Sequence, residues 1–418
     1  MNPPAINGSP SLIHHSHNST ETARVRAEIP ARVLIPFVAW IGRRAVELGL
    51  TRLYFLSRDG QVLHELATRL FANLGIDMEL RYLHGSRVAW HPARTREIDA
   101  FFLDYLLEAP NGLSAEMIAS RLPGLEDPAL TDALLRVTSA SSATKLLHRA
   151  DLEALREGFL KDPLRSLITP HLRQARQTTL DYFDQEGLFD ATPWGLVDIG
   201  WTGKTIRCLY DLLRDQDSAL PPVFFFGYHS FLIGEGNPAP ETFLFSSRGK
   251  PRMNTSVMLE NFCAGDHGPV LGYTADNGKL APQLRAARNS AAIDWGLTAY
   301  RETLLARAAG ETPPAPERND SVRTDVWRTL AEFYWNPTAE QLAAWSDFPT
   351  EIEASGTERR CWAEPLPWGV AASALRHRSA PLPHRGAWPA GSVACSTGLN
   401  RQLGQLALRL CTKDSPHP

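Results

Sequence analysis

The chain has 418 residues, 43% of them hydrophobic, which is enough apolar material for two or three domains or for one large, elaborated α/β domain. Its 43 Lys and Arg nearly balance 46 Asp and Glu, so the net charge of -3 gives no electrostatic case for a nucleic-acid or membrane partner. The five cysteines form no C-x-x-C pair, no apolar run approaches the ~20 residues of a membrane span, and no cleavable signal pattern is present. We therefore expect a cytoplasmic protein without a membrane span.

The first predicted elements are a polar tail and a β-α-β unit. Residues 1–28 are rich in Asn, Ser, Pro and His, which predicts a disordered tail before an α/β domain over 29–273. A buried strand at Leu53-Tyr54-Phe55-Leu56 is followed by a helix that Gly75 closes, and a second strand runs through Leu80 and Tyr82. The crossover between the strands predicts that they are parallel.

The middle of the chain changes pattern twice. From about residue 95 to about 190 the apolar spacing is helical, which predicts a large helical insertion. Strands return at Leu196-Val197, at Val223-Phe224-Phe225-Phe226 and at Phe243-Leu244-Phe245. The fold class is therefore α/β, a Rossmann-like, mainly parallel sheet. Residues 257–273 are predicted as a loop, and 274–418 as a C-terminal helical and irregular region.

Two loops carry most of the functional signal. The first is Ser57-Arg58-Asp59-Gly60, and the second is Asp198-Ile199-Gly200-Trp201-Thr202-Gly203-Lys204-Thr205. Each joins the end of a predicted strand to the start of a helix, where free backbone N–H groups and the helix dipole favour anions. Because ligands of parallel sheets bind outside the carboxyl ends of the strands, we predict that both loops border one cleft.

The residue types in these loops suggest a division of roles. The backbone around Gly203 and the Thr202 and Thr205 hydroxyls suit phosphate oxygens, whereas Asp198 suits a sugar hydroxyl or a magnesium ion. The candidate catalytic residues are Asp198 and Asp59, and Asp198 is also the candidate metal ligand. The remaining candidate substrate- or phosphate-binding residues are Ser57, Arg58, Gly60, Arg87, Gly200, Trp201 and Lys204.

Several of these residues also have a purely structural interpretation. Arg58 and Asp59 could pair with each other and cap the following helix. Arg87 could form a salt bridge, Trp201 could pack in the core, and Lys204 could be an exposed helix position. His267 and Asp266 could serve in acid–base chemistry or simply form a turn.

The second loop resembles two known motifs. Gly203-Lys204-Thr205 has the ending of a P-loop, but Asp198 stands where that motif begins with glycine, and a carboxylate there would repel phosphate. The strand, the acid and Thr202-Gly203-Lys204-Thr205 resemble the ribose-phosphate loop of type I phosphoribosyltransferases. That resemblance implies that Asp198 binds ribose hydroxyls, that the Thr-Gly-x-Thr segment binds the 5-phosphate, and that the first loop binds pyrophosphate. The usual acid pair is reduced to Asp198, with Ile199 beside it.

A broader resemblance covers most of the chain. Its segments are Tyr54 to Gly60, Tyr82 to Arg87, Val197 to Gly203, Phe226-Gly227-Tyr228, Glu260 with Gly268 to Tyr273, and Asn336-Pro337-Thr338. Together they resemble the C-terminal region of bacterial predicted hydrolases of the haloacid-dehalogenase-like (HAD) superfamily, which are similar in context to proteins found near surface-polysaccharide and glycosyltransferase genes. The Asp-x-Asp-x-Thr motif of HAD phosphohydrolases is absent here. The hydrolase chemistry is therefore expected in an N-terminal domain of longer relatives, and we do not carry it over.

Three functions remain open from the sequence. The first is a transferase or hydrolase acting on a phosphorylated or nucleotide-linked sugar in surface-polysaccharide metabolism, with Mg²⁺ as the candidate cofactor and polysaccharide-biosynthesis proteins as candidate partners. The second is a non-catalytic ligand-binding or partner module of a HAD-like system. The third is a P-loop-type nucleotide hydrolase, which only Gly203-Lys204-Thr205 supports.

Overall fold

A computed structural model describes most of the chain. The described residues are 20–108, 112–125, 128–228, 234, 236–246, 253, 255–310, 319–351, 359–377, 379–384 and 386–413. Residues 1–19, which the sequence predicts to be part of a disordered tail, lie outside them.

Five strands form one sheet in which every neighbouring pair is parallel. In chain order they are β1 (Arg52–Leu56), β2 (Glu79–Leu83), β3 (Trp194–Trp201), β4 (Val223–Tyr228) and β5 (Glu241–Ser246). Their order across the sheet is β2-β1-β3-β4-β5, so the direction of winding reverses between β1 and β3. Two antiparallel pairs lie apart from this sheet: β6 (Val270–Asp276) with β7 (Lys279–Leu284), and β8 (Pro349–Glu351) with β9 (Arg359–Cys361).

Helices make up much of the remaining described chain. Those before β3 are α1 (Thr20–Glu47), α2 (Gly60–Leu74), α3 (Arg87–Arg94), α4 (Ala100–Leu107), α5 (Ala115–Ala119), α6 (Pro128–Val137), α7 (Arg149–Gly158) and α8 (Leu164–Gln185). Those after β3 are α9 (Lys204–Arg214), α10 (Thr255–Phe262), α11 (Ser290–Trp295), α12 (Leu297–Gly310), α13 (Asn319–Trp335), α14 (Ala339–Trp345), α15 (Val370–His377), α16 (Pro389–Cys395) and α17 (Gly398–Lys413). In the part of the chain that the structure covers, no helix is both long and apolar enough to cross a membrane.

The sheet is buried on both faces because side chains alternate along each strand. On β1, Leu53 and Phe55 belong to one core, which α1, α2, α10 and α12 complete. Tyr54 and Leu56 belong to the other core, which α3, α8 and α9 complete. The sequence prediction that the strands at Leu53 and Leu196 share one sheet is confirmed, since β1 and β3 are neighbours.

The chain between β2 and β3 is helical, from α3 to the end of α8. Side chains of α4 to α8 form a hydrophobic cluster of their own, with Phe102, Leu106, Leu134, Leu155 and Ile168 fully buried in it. Helix α3 and the end of α8 instead pack on the sheet. This cluster lets the helical segment keep its shape while α3, which follows β2, stays fixed to the sheet.

The amino end of the described chain differs from the prediction. Helix α1 begins at Thr20, so residues 20–28 are helical rather than part of a disordered tail. Ala23, Val25 and Ala27 are buried, and the Arg26 guanidinium donates to the backbone carbonyls of Trp295 and Ala344. These partners lie far away in the sequence, so the local composition around residue 26 could not reveal them.

Candidate functional site

The two loops singled out by the sequence leave the same edge of the sheet. Strands β1 and β3 are adjacent and parallel, with Phe55 paired to Val197. The winding direction reverses at this pair, which is where open α/β sheets form a ligand crevice beyond the strand ends. The segments that start at Ser57 and Asp198 therefore leave neighbouring strands side by side at this edge.

Asp59 directly follows β1 and occupies the N-cap position of α2. Its side chain makes no capping hydrogen bond, and its carboxylate has no hydrogen-bond or ion-pair partner among the described residues. The structural interpretation that Asp59 caps the helix or pairs with Arg58 is therefore wrong. Gly60 has a packing role instead, because a Cβ there would lie 2.6 Å from the backbone carbon of Phe55.

Arg58 is held by a distant carboxylate. Its guanidinium binds both oxygens of Glu351 at the end of β8, 293 residues away, with N–O distances of 2.7 and 2.5 Å. Arg359 on β9 donates to the same carboxylate at 3.2 Å. Burial alone would raise the pKa of Glu351, but the two arginines hold it below its ordinary value. The sequence suggested phosphate as the partner of Arg58, whereas the structure shows a protein carboxylate.

Asp198 lies near the carboxyl end of β3 and is partly exposed. Burial raises its pKa to about 6, although the backbone N–H groups of Gly200 and Ile199 act in the opposite direction. The Gly200 N–H donates to Asp198 Oδ1 over a long 3.5 Å. Gly200 must be glycine, since its φ is 105° and a Cβ would approach the Gly227 oxygen to 2.1 Å.

Glu260 on α10 completes a group of three carboxyls that we call the acidic cluster: Asp59, Asp198 and Glu260. Burial raises the pKa of Glu260 to about 7, although the charges of Arg87 and Arg58 lower it. Burial, reinforced by the charges of Glu260 and Asp198, raises the pKa of Asp59 well above its ordinary value. Glu260 has no ion-pair or hydrogen-bond partner among the described residues, so the cluster combines like charges that the fold does not pair.

Solvent reaches the acidic cluster even though protein surrounds it. Glu260 is exposed, and Asp59 and Asp198 are each partly exposed. Their pKa values are nevertheless raised chiefly by desolvation. The acidic cluster therefore combines solvent access with surrounding protein at the sheet edge where α/β proteins place ligand clefts, a common setting for carboxyls that are tuned for chemistry.

The second loop presents donors beside these acids. Gly203 is the N-cap of α9 with φ 71°, so no side chain caps the first turn of that helix. The Thr202 hydroxyl is exposed and that of Thr205 is partly exposed, and neither has a hydrogen-bond partner in the described part of the chain. Free N–H groups and hydroxyls at a helix N-terminus form a suitable anion site.

The cations near this turn differ in their availability. Lys204 binds Glu108, at the end of α4, with an N–O distance of 2.7 Å. Arg87, in the first turn of α3, is exposed and has no ion pair within the described ranges. Its charge acts on Glu260, so it lies beside the acidic cluster. The salt-bridge interpretation of Arg87 is therefore not what the structure shows.

Trp201 and Ser57 serve the fold. Trp201 is 8% exposed and belongs to the core on the α1 face, which favours the packing interpretation over stacking on a ligand. The Ser57 hydroxyl donates to the Gly85 carbonyl at 2.7 Å and accepts from the Gly85 N–H at 3.0 Å. These bonds join the end of β1 to the segment after β2.

Sequence reasoning missed Glu260 and Glu351 as members of the site. Residues 257–273 were predicted as a loop, but α10 occupies Thr255–Phe262 and β6 begins at Val270. The buried positions Thr255, Met258, Leu259 and Phe262 have helical spacing, which could have revealed α10. No local signal could have revealed Glu351, because its role depends on Arg58 across the fold.

The donor set of the acidic cluster suits a hard cation, since magnesium is often held by one or two carboxylates together with substrate phosphates. Within the described residues, however, no group of three or more His, Cys, Asp or Glu side chains is arranged to hold a metal ion. Comparison of the sequence with protein-family models and with curated proteins found no match.

Proposed function

We propose that this chain is a transferase or hydrolase that acts on a phosphorylated or nucleotide-linked sugar. The observation that carries the proposal is the acidic cluster, three carboxyls without an ion pair among the described residues, at the reversal of the sheet. It lies beside an uncapped helix N-terminus and Arg87, which has no ion pair in the same part of the chain. We also infer that the fold is Rossmann-like, with the helices of residues 95–190 inserted as a cap over the crevice. The separate hydrophobic core of α4 to α8 supports that inference.

The two sides of the cleft suit different parts of such a ligand. Phosphate oxygens accept hydrogen bonds, so they fit the first turn of α9, the Thr202 and Thr205 hydroxyls and the Arg87 guanidinium. Sugar hydroxyls donate hydrogen bonds, so they fit the carboxylate of Asp198. Mg²⁺, where the reaction uses it, would be held by Asp198 and would neutralise charge on the phosphate.

The raised pKa values give the cleft an acid and a base at neutral pH. The charge of Glu260 disfavours ionisation of Asp59, and burial raises the pKa of both carboxyls. A protonated carboxyl can donate to a leaving oxygen, whereas Asp198, with a pKa near 6, is ionised at pH 7. This arrangement supports bond cleavage at a phosphate or glycosyl centre.

The resemblance to HAD-like proteins from surface-polysaccharide contexts fits this proposal in substrate class but not in nucleophile. The position before Arg58 is serine, and its hydroxyl is engaged with the Gly85 backbone. An aspartyl nucleophile is therefore not part of the proposed chemistry. We infer a cytoplasmic role in polysaccharide metabolism, with proteins of that metabolism as candidate partners.

A second candidate is a non-catalytic ligand-binding or partner module. The engagement of Arg58 by Glu351 favours it, because a cation predicted to bind phosphate is committed to the fold. A P-loop-type hydrolase has less support, since Lys204 binds Glu108 and Asp198 replaces the first glycine of that motif.

Calorimetric titration distinguishes these candidates. Phosphoribosyl pyrophosphate, UDP-glucose and ATP are each titrated into the full chain with and without Mg²⁺, and 31P NMR records turnover. We expect binding of at least one sugar-containing compound, weakened in Asp198→Asn but not in Asp276→Asn, an exposed carboxyl on the β6-β7 turn. Binding without turnover would favour the module. The absence of binding by folded protein would contradict the proposal.

A further inference from the structure

A tyrosine–histidine pair adjoins the acidic cluster. Tyr82 on β2 has its hydroxyl oxygen 2.8 Å from Nε2 of His267, and Nδ1 of His267 lies 2.7 Å from the carbonyl oxygen of Gly268. A carbonyl oxygen can only accept, so Nδ1 carries the hydrogen. In the neutral ring Nε2 is then the acceptor, and the Tyr82 hydroxyl donates to it. The backbone of Gly268 therefore fixes the tautomer that lets His267 take a proton from Tyr82.

The segment that carries His267 is fixed against the first loop of the site. A Cβ on Gly265 would lie 3.0 Å from Cβ of Arg58, so this segment passes directly over the loop. The Asp266 N–H donates to Gln61 Oε1 at 3.0 Å, and the Asn289 side-chain amide donates to the Gly265 carbonyl at 3.0 Å. His267 itself is 6% exposed. The imidazole is thus held in place, as a positioned base requires.

Tyr82 contacts this histidine and lies within electrostatic reach of Asp59. Burial, together with the charges of Asp59 and Asp266, raises the pKa of Tyr82, while Arg301 and the Ser57 hydroxyl act in the opposite direction. The phenol therefore stays protonated at neutral pH. The His84 ring lies 4.8 Å from the Tyr82 ring and 5.7 Å from the His267 ring, between centroids. Burial and the neighbouring His267 lower the pKa of His84 to about 4, so His84 adds no positive charge at pH 7.

The charged groups around His267 come from several elements. Asp266 precedes it in the chain, and Arg301 on α12 lies 3.7 Å from the Asp266 carboxylate. Arg301 also binds Glu65 on α2, and the charge of Asp59 acts on Tyr82. The pair therefore links the acidic cluster to a histidine that the fold has already oriented.

We propose that Tyr82 is a catalytic residue of the cleft and that His267 is the base behind it, a two-residue relay that removes a proton from the acceptor hydroxyl of a phosphoryl transfer. The proposal rests on the proposed function, and it narrows that function to attack by a hydroxyl, from water or from a sugar, on phosphorus. In this assignment Tyr82 touches the hydroxyl, whereas His267 acts through Tyr82.

The step balances without another reactant. The acceptor hydroxyl gives its proton to the Tyr82 oxygen as the phenolic proton passes to His267 Nε2, which makes an imidazolium. The freed electron pair of the acceptor oxygen forms a bond to phosphorus, and the bond from phosphorus to the leaving oxygen breaks. The leaving oxygen takes a proton from solvent. The imidazolium then gives its proton to solvent, so the proton count balances.

The test compares matched variants of the full chain. Tyr82→Phe removes the relay hydroxyl, and Tyr210→Phe removes a hydroxyl that donates to the Pro221 carbonyl on the opposite face of the sheet. His267→Gln removes the base, with His171→Gln on α8 as its control. UDP-glucose, glucose 1-phosphate and phosphoribosyl pyrophosphate with Mg²⁺ serve as probes. Calorimetry gives Kd, 31P NMR gives kcat across pH, and 15N NMR of the histidines gives the tautomer of His267.

For a probe that the unmodified chain turns over, Tyr82→Phe should lower kcat by about 100-fold or more with Kd changed less than about threefold. His267→Gln should lower kcat by about tenfold or more and remove the rise of kcat with pH on the acidic side. The controls should match the unmodified chain, and Nδ1 of His267 should carry the hydrogen. A Tyr82→Phe kcat within threefold of the unmodified value would overturn the relay, as would the other tautomer. Binding without turnover would overturn the relay but leave the proposed binding site. The absence of binding would overturn both the relay and the proposed function.

Discussion

The two edges of the parallel sheet differ in how their charged side chains are paired. At the amino edge, Arg52 at the start of β1 is 7% exposed and binds Glu79 and Asp190 at 2.5 and 2.7 Å. It also donates to the Tyr54 hydroxyl and the Gly187 carbonyl. At the carboxyl edge, no cationic side chain of the described ranges forms an ion pair with the acidic cluster. Paired charges at one edge stabilise the fold, whereas unpaired like charges at the other indicate a site for something outside the fold.

A cavity at the amino edge also contains paired charges. Its volume is about 220 Å³, and its lining residues are Trp40, Arg43, Arg44, Glu47, Glu241, Thr242 and Arg323. Arg44 binds Glu241 at 3.0 Å and Glu47 at 2.9 Å. Both glutamates of this cavity are thus bound by Arg44, and concavity alone does not mark the functional edge. The charge balance of each edge distinguishes them.

The largest effect on stability is expected from breaking the amino edge. Arg52→Met leaves the Tyr54 hydroxyl, the Gly187 carbonyl and two carboxylates without their shared donor. We expect the free energy of unfolding to fall by about 3 kcal/mol, with no change in ligand affinity. Urea denaturation measures the loss. The control Arg24→Met removes an exposed pair with Glu21 and should cost less than about 0.5 kcal/mol. Equal losses in the two variants would contradict the comparison.

A smaller loss of unfolding free energy is expected when Arg58, in the first loop, loses the charge of its partner. Glu351→Gln removes the charge that binds Arg58 and should cost about 2 kcal/mol at pH 7. Because the pKa of Glu351 is lowered in the folded state, its contribution is present above the unfolded pKa of about 4.5 and is lost as pH falls through the folded value. The difference between the two proteins should therefore shrink below pH 4. A loss that is independent of pH would show that the carboxylate charge is not what stabilises this contact.

At the carboxyl edge, removing a charge should increase the free energy of unfolding rather than lower it. The pKa of Asp198 is raised to about 6, so ionising it destabilises the folded state as pH rises from about 4 to about 6. Asp198→Asn should therefore increase the free energy of unfolding by about 1–2 kcal/mol at pH 8, after solvent screening reduces the shift of two pKa units. The gain should be absent near pH 3. Denaturation of both proteins across pH measures it, and a net loss at pH 8 would contradict the functional interpretation.

The smallest effect is expected at the second loop. Thr205→Val removes a hydroxyl that has no partner among the described residues and keeps the shape of the side chain. Phosphate-bearing ligands should bind about 0.5–1.5 kcal/mol more weakly, or up to about tenfold in Kd, with stability unchanged within about 0.5 kcal/mol. Thr68→Val on α2, whose hydroxyl donates to the His64 carbonyl, is the matched control. Equal affinity in both variants would remove Thr205 from the phosphate site.

The sequence was a good guide wherever the signal was local. The apolar runs at Leu53 and Leu196 predicted two strands of one sheet, and the structure shows that they are neighbours whose following loops leave the same edge. It was a poor guide to partners. Whether Arg58 binds phosphate, Asp59 or Glu351 depends on a contact across 293 residues, which no local periodicity encodes.

The helix that carries Glu260 shows an intermediate case. Its helical spacing was readable, but glycines and charges nearby favoured a loop. The start of α1 is a different case. Residues 20–28 are helical because Arg26 and its neighbours pack against α11 and α14. In both places tertiary packing decided the local structure, as it commonly does where intrinsic preference is weak.

The central claim is that the unpaired carboxyls at the carboxyl edge belong to a ligand site, and proton exchange on binding tests it most directly. The binding enthalpy of the tightest ligand is measured at pH 7 in buffers of different ionisation enthalpy, for the unmodified chain and for the Asp59→Asn, Glu260→Gln double variant. We predict that the enthalpy of the unmodified chain depends on the buffer, since a ligand at the cluster must change the raised pKa values of Asp59 and Glu260 and so exchange protons with the buffer. The variant should lose this dependence. Equal, buffer-independent enthalpies in both proteins would contradict the account.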